Sequence, residues 1–78
     1  MSDNESNIVA PMVGKVVSIL VKEGAEVEID ETVVTLEAMK IEMPVNAAVN
    51  GTVKEILVAE GDVVEADTVL VVIEDDDE

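Results

Sequence analysis

Aliphatic residues recur along this chain in short runs, separated by Gly, Asn, Asp and Glu. The runs predict strands at Ile8–Ala10, Lys15–Val21, Glu26–Glu28 and Val33–Glu37, then at Ile41–Asn46, Thr52–Val58, Val63–Val64 and Val69–Glu74. Valine dominates them, and a β-branched side chain fits a pleated, half-buried surface. No stretch sustains a 3.6-residue period between helix caps, so essentially no helix is expected. Glu23-Gly24 and Glu60-Gly61 mark turns where positive φ is cheapest, and Asn50-Gly51 reads as a hairpin turn.

The pattern repeats. A shift of 37 residues lays Ile8–Glu37 on Val45–Glu74 without a gap, with 13 identities in 30 positions. Gly14 falls on Gly51, Ile19-Leu20-Val21 on Ile56-Leu57-Val58, Glu23-Gly24 on Glu60-Gly61, and Asp30 on Asp67. Alternation breaks at the same place in each half. In Val53-Lys54-Glu55-Ile56 two adjacent charges separate two aliphatics, so a β-bulge must return Ile56 to the core, and Val16–Ile19 should bulge likewise. Neither half buries enough apolar surface alone. The expected fold is all-β: a flattened eight-stranded barrel or sandwich of two quasi-twofold-related four-stranded halves. The folded domain is expected over residues 8–74, between a disordered polar N-terminus at 1–7 and an acidic tail at 75–78.

Composition then narrows the chemistry. The 78 residues include 19 acids and four lysines, for a net charge of -15, and hold no Cys, His, Phe, Tyr or Trp. Nothing here neutralises a run of phosphates or stacks on a base, which excludes a nucleic-acid footprint. Thiol chemistry, disulfides, imidazole catalysis and the commonest metal ligands are absent. The longest aliphatic run, Val69–Ile73, falls far short of a membrane span. The N-terminus is neither a secretory signal nor a basic transit peptide, so a cytoplasmic protein is the default expectation. The run Glu74-Asp75-Asp76-Asp77-Glu78 lacks the glycine turn and spacing of a calcium loop and reads as a solvated tail. At 49% hydrophobic the chain nonetheless folds rather than staying disordered. It has the makings of a scaffold, not of an enzyme with its own acid, base and nucleophile.

The segment joining the repeats is Ala38-Met39-Lys40-Ile41-Glu42-Met43-Pro44. One strand runs in and another runs out, so Lys40 sits on or beside the connecting turn. Shifted by 37, this segment lands on the C-terminal tail and beyond. The quasi-dyad therefore sets the Lys40 turn at the pole opposite the termini. Lys15 and Lys54 fall within strands and Lys22 flanks a turn. Pro11 and Pro44 read as edge-strand punctuation and Met43 as core.

Glu37-Ala38-Met39-Lys40 between two homologous β halves resembles the biotinyl domain of biotin-dependent carboxylases and decarboxylases. Ala10-Pro11-Met12-x-Gly14-Lys15-Val16 is similar to that family's opening strand, and Gly51-Thr52-Val53-x-x-Ile56-x-Val58-x-x-Gly61-Asp62 to its second-half signature. The resemblance spans about Ile8 to Glu74. It implies that Lys40 carries biotin in amide linkage, added by a biotin ligase that reads Ala38, Met39, Ile41 and Glu37. It implies shuttling of CO2 as carboxybiotin between a biotin carboxylase and a carboxyltransferase or decarboxylase subunit. The family usually has Met on both sides of the lysine; here Ile41 follows it and keeps the apolar character. The gap-free first half lacks the inserted thumb of one bacterial carrier type, which points to the thumbless carriers. The alternative is the sister family of lipoyl domains, with lipoate on the lysine, but these typically have Asp where this chain has Met39. A third possibility is an unmodified β-barrel used for assembly.

A carrier needs one exposed nucleophile on a rigid support, and lysine offers a primary amine on a four-carbon stem. A solvated lysine is protonated at neutral pH, so a ligase must supply the electrophile and the proton acceptor. About eleven bonds from Cα to the biotin ring give a reach of roughly 14 Å. That enters a recessed pocket without spanning two distant sites, so the whole domain is expected to move.

Overall fold

The computed structural model describes residues 5–75. It contains β1 (Glu5–Val9), β2 (Gly14–Ile19), β3 (Glu26–Val27), β4 (Thr32–Ala38), β5 (Ile41–Asn46), β6 (Gly51–Ile56), β7 (Val63–Val64) and β8 (Val69–Asp75). There is no helix among the described residues. Two antiparallel four-stranded sheets form, in the orders β1-β8-β6-β3 and β5-β4-β2-β7. Between them lies an aliphatic core that includes Val16, Val33, Leu36, Val53, Leu70 and Ile73. No charged or polar residue is buried among the described residues.

The quasi-twofold relation holds to the level of single hydrogen bonds, but each sheet draws two strands from each half. The 37-residue shift carries β5-β4-β2-β7 onto β1-β8-β6-β3, pair for pair: Glu37↔Glu42 has its counterpart in Glu74↔Glu5. Loops reach across in matched pairs. The Gly61 N–H donates to the Val16 carbonyl and the Gly24 N–H to the Val53 carbonyl, both at 2.8 Å. The Ile19 N–H donates to Glu60 Oε2 and the Ile56 N–H to Glu23 Oε2, both at 3.2 Å. A half taken alone would leave these strands unpaired.

Both expected bulges are present. Register passes from Val16↔Leu36 to Ser18↔Thr35 and from Val53↔Ile73 to Glu55↔Val72, leaving Val17 and Lys54 as the extra residues. Gly24 and Gly61 have φ of 89° and 96°, as their turns require. Asp30 and Asp67, matched in the repeat, also take positive φ (71° and 70°), which a short polar side chain tolerates.

Five expectations are corrected. Asn50-Gly51 does not close a hairpin, because β5 and β6 belong to different sheets. Gly51 is instead a buried strand residue whose added Cβ would lie 2.1 Å from the Glu74 carbonyl oxygen. The first strand begins at Glu5, not Ile8: Glu5, Ser6 and Asn7 pair with Glu74, Ile73 and Val72. An edge strand accepts polar residues, so the apolar pattern could not register them. Asp75, placed in the tail, closes β8 by pairing with Gly51 of β6, while residues 1–4 and 76–78 lie outside the described residues. Met43, read as core, is half-buried, since β5 is also an edge. Leu20-Val21 and Leu57-Val58 fall beyond their strands, with Val21 and Val58 still packed on the core.

Candidate functional site: the β4–β5 turn

Strands β4 and β5 pair from Thr32↔Asn46 to Ala38↔Ile41, leaving two residues, Met39 and Lys40, to reverse the chain. A two-residue reversal that follows the twist of its strands is a primed turn, with positive φ at its centre. Met39 and Lys40 have φ of 54° and 66°, the φ signature of type I′. Asn-Gly is the residue pair this turn prefers, and a side chain in the left-handed region costs about 1 kcal/mol or more. The cost is offset by the β4–β5 ladder and by the burial of Leu36, Ala38 and Val45 beneath it. Strain of this kind persists at sites where a particular side chain is needed.

Of the residues read as a site, Lys40 and Met39 occupy the turn, and both are exposed, Met39 at 83%. Ile41, 63% exposed, opens β5 directly across from Ala38. Ala38 itself is buried beneath the turn. Glu37 is exposed and lies between Lys15 on β2 and Glu42 on β5. The remaining lysines differ in setting. Lys54 pairs with Glu5 across the β1-β8-β6 sheet, Lys15 sits within β2, and Lys22 precedes the Glu23-Gly24 turn.

The topology fixes which pole carries the turn. Gly14, at the start of β2, lies against Glu37 and Ala38. The chain reaches Gly14 directly from the end of β1, so the start of β1 is at the far pole, where Glu5 pairs with Glu74 at the end of β8. Lys40 therefore projects from the pole opposite Glu5 and Asp75. Sequence reading did not foresee positive φ at Met39 and Lys40, because neither residue type announces it. The usable signal was the two-residue gap between paired strands. It also missed Gly14 as the floor of the hairpin, although its match to Gly51 was in plain view.

No group of His, Cys, Asp or Glu side chains that could hold a metal ion is assembled among the described residues. An exposed primary amine on a tight turn, clear of the sheet edges, fits one covalent group of any size that a partner can attach. A carboxylate-bearing cofactor in amide linkage meets that description without needing a pocket on this chain.

A family model described as "Biotin-requiring enzyme" matches residues 6–73. The biotin carboxyl carrier protein of acetyl-CoA carboxylase from Solanum lycopersicum is 52% identical over 44 residues, 56% of this chain and 63% of that protein. The mitochondrial methylcrotonoyl-CoA carboxylase subunit alpha from Oryza sativa subsp. japonica is 44% identical over 50 residues, 64% of this chain and 7% of that subunit. Among solved structures, a single-chain, multi-domain long-chain acyl-CoA carboxylase superimposes with a TM-score of 0.89 at 30% identity, over 99% of this chain and 8% of that one. Urea carboxylase from Kluyveromyces lactis gives 0.86 at 34% identity, over 94% of this chain and 6% of that one. The match thus spans less than two thirds of the carrier protein and under a tenth of each larger carboxylase chain. A two-sheet quasi-twofold barrel with a lysine on its β4–β5 turn, matched from residue 6 to residue 73, belongs to the biotin/lipoyl family of biotin-requiring enzymes.

Proposed function

We propose that this chain is a biotin carboxyl carrier whose Lys40 is the attachment residue. The observation that carries the reading is Lys40 at the centre of a strained two-residue turn, exposed beside Met39, in a chain of this family. Lys40 Nζ holds the group as an amide, which replaces an ammonium and removes one positive charge from a chain already at -15. Biotin, when bound, supplies a nitrogen that accepts and releases a carboxyl group. The chain's own part is mechanical. The β4–β5 ladder fixes the base of the arm, the turn keeps it off the barrel wall, and the exposed surface leaves it free to enter another protein's pocket.

The partners in this reading are a biotin ligase, a biotin carboxylase and a carboxyltransferase or decarboxylase component. The chain itself is non-catalytic and thumbless, and acts in the cytoplasm. Tethering the group to a small mobile domain raises its local concentration at each partner. The test is intact-mass analysis after incubation with a biotin ligase, ATP and biotin. One biotinyl group should be gained, and Lys40→Arg should gain none. Modification mapped to Lys22 would overturn the assignment. Efficient loading by a lipoate ligase, with the biotin ligase inactive, would assign the chain to the lipoyl branch.

A further inference from the structure

The quasi-dyad provides an internal control for what the Lys40 pole is for. Each surface position there has a counterpart at the other pole on the same backbone. On the outer face of β5-β4-β2-β7, the register sets Val63 beside Lys15 and Lys15 beside Glu37. Met39 follows β4 and Val13 precedes β2 at the same end of the sheet. Val13 is 58% exposed and Val63 75% exposed. Their counterparts, 37 residues away, are Asn50 and Glu26. At these two positions the Lys40 pole is apolar where its twin is polar, although the other pole exposes Leu20 and Ile29 elsewhere.

Asn50 has a structural task, since its Oδ1 accepts the Ile29 N–H at 2.8 Å. Valine at the matching position can accept nothing, so this pole gives up a loop tie and exposes a side chain instead. Val63 lies on a two-residue edge strand where its twin is a glutamate. Exposed apolar side chains grouped around a modifiable amine mark a contact surface.

The geometry points to a collar of Val13, Met39 and Val63 that seats the ligase acylating Lys40, an inference that rests on the carrier reading above. Reach selects this occupant. Before modification the amine extends only roughly 6 Å from Cα, so the enzyme that acylates it must press against the turn and its neighbours. Once loaded, the arm extends roughly 14 Å, and partners served by it need not touch the collar. Charge sets the rim. Glu37 and Glu42 border the patch on one side, and Asp62 and Glu65 flank Val63 on the other, all exposed. The ligase surface that fits is an apolar lip edged by lysine or arginine.

The experiment exchanges the poles. Val13→Asn and Val63→Glu import the residues that the twin positions already tolerate, so the fold has a precedent for each. With the full chain, a biotin ligase, ATP and biotin, the double variant should raise the apparent KM about tenfold and retain kcat, roughly the effect of losing one buried valine. Val13→Asn alone, which leaves charge unchanged, should account for a few-fold of it. Leu20→Asn, an exposed apolar residue at the other pole, should change nothing. An unchanged KM in the double variant, or an equal rise with Leu20→Asn, overturns the collar. A KM rise confined to the carboxylase step, seen with preloaded variant, reassigns the surface to that partner and overturns it too. Failure of the unsubstituted chain to be biotinylated at all would instead sink the carrier reading.

Discussion

A Cβ added to Gly14 would lie 2.9 Å from the carbonyl oxygen of Glu37, three residues before Lys40. The same contact recurs between Gly51 and Glu74, at 2.1 Å. In both sheets a glycine lets two backbones approach where the strand that ends at a pole crosses its neighbour. The Gly14 contact underlies the Lys40 hairpin, so it joins packing to the position of the site.

Gly51→Ala is expected to cost about 2–3 kcal/mol or more and Gly14→Ala about 1 kcal/mol, since overpacking scales with the clash that must be relieved. Urea denaturation measures both. Gly14→Ala should also slow acylation of Lys40 by displacing β4, whereas Gly51→Ala should slow it only through unfolding. Equal losses of stability in the two variants would contradict the difference between the two approaches.

Met39→Gly should stabilise the turn by up to about 1 kcal/mol, because glycine adopts positive φ without steric cost. It should at the same time impair acylation by removing an exposed apolar contact beside Lys40. A rise in melting temperature with a fall in ligase kcat/KM is the expected pair of results. A lower melting temperature would mean that the Met39 side chain supports the hairpin despite its exposure.

Because each sheet takes two strands from each half, peptides covering residues 1–37 and 41–78 should each fail to fold alone. Mixed together, they should recover β-structure by circular dichroism, as the loop-to-strand hydrogen bonds between halves are restored. Independent cooperative unfolding of either peptide would show that the interleaved pairing is dispensable.

Net repulsion should govern the response to salt. With a charge of -15 set by 19 acids against four lysines, screening relieves far more repulsion than attraction, and pairs such as Lys54–Glu5 are solvent-accessible. The melting temperature is expected to rise between roughly 20 mM and 0.5 M KCl, where the Debye length falls from about 20 Å to about 4 Å. A fall would mean that surface ion pairs carry the stability, against their usual small worth.

Much of the architecture was legible because duplication doubles every weak signal. Val53 to Ile56 alone hints at a bulge; the same break at Val16 to Ile19 makes it a rule, and both bulges formed. The Glu-Gly turns were legible because glycine at positive φ is a local preference. Asn50-Gly51 misled for the opposite reason: its local preference is real, but the strands flanking it never pair. Glu5–Asn7 were missed because an edge strand hides little from water, and the hydrophobic pattern sees only what is hidden; Asp75 was missed because its place is set by pairing with Gly51, not by burial of its side chain.

The chain's order of aliphatic, glycine and charged residues by itself determined eight strands, their duplication and the one lysine set between the halves, since all three are written in local spacing. Only the tertiary structure decided which strands share a sheet, that Met39 and Lys40 turn with positive φ, and that Val63 is brought beside Lys15 on the sheet that carries Lys40. Those outcomes depend on residues far apart in sequence, and no window along the chain contains both partners of such a pairing.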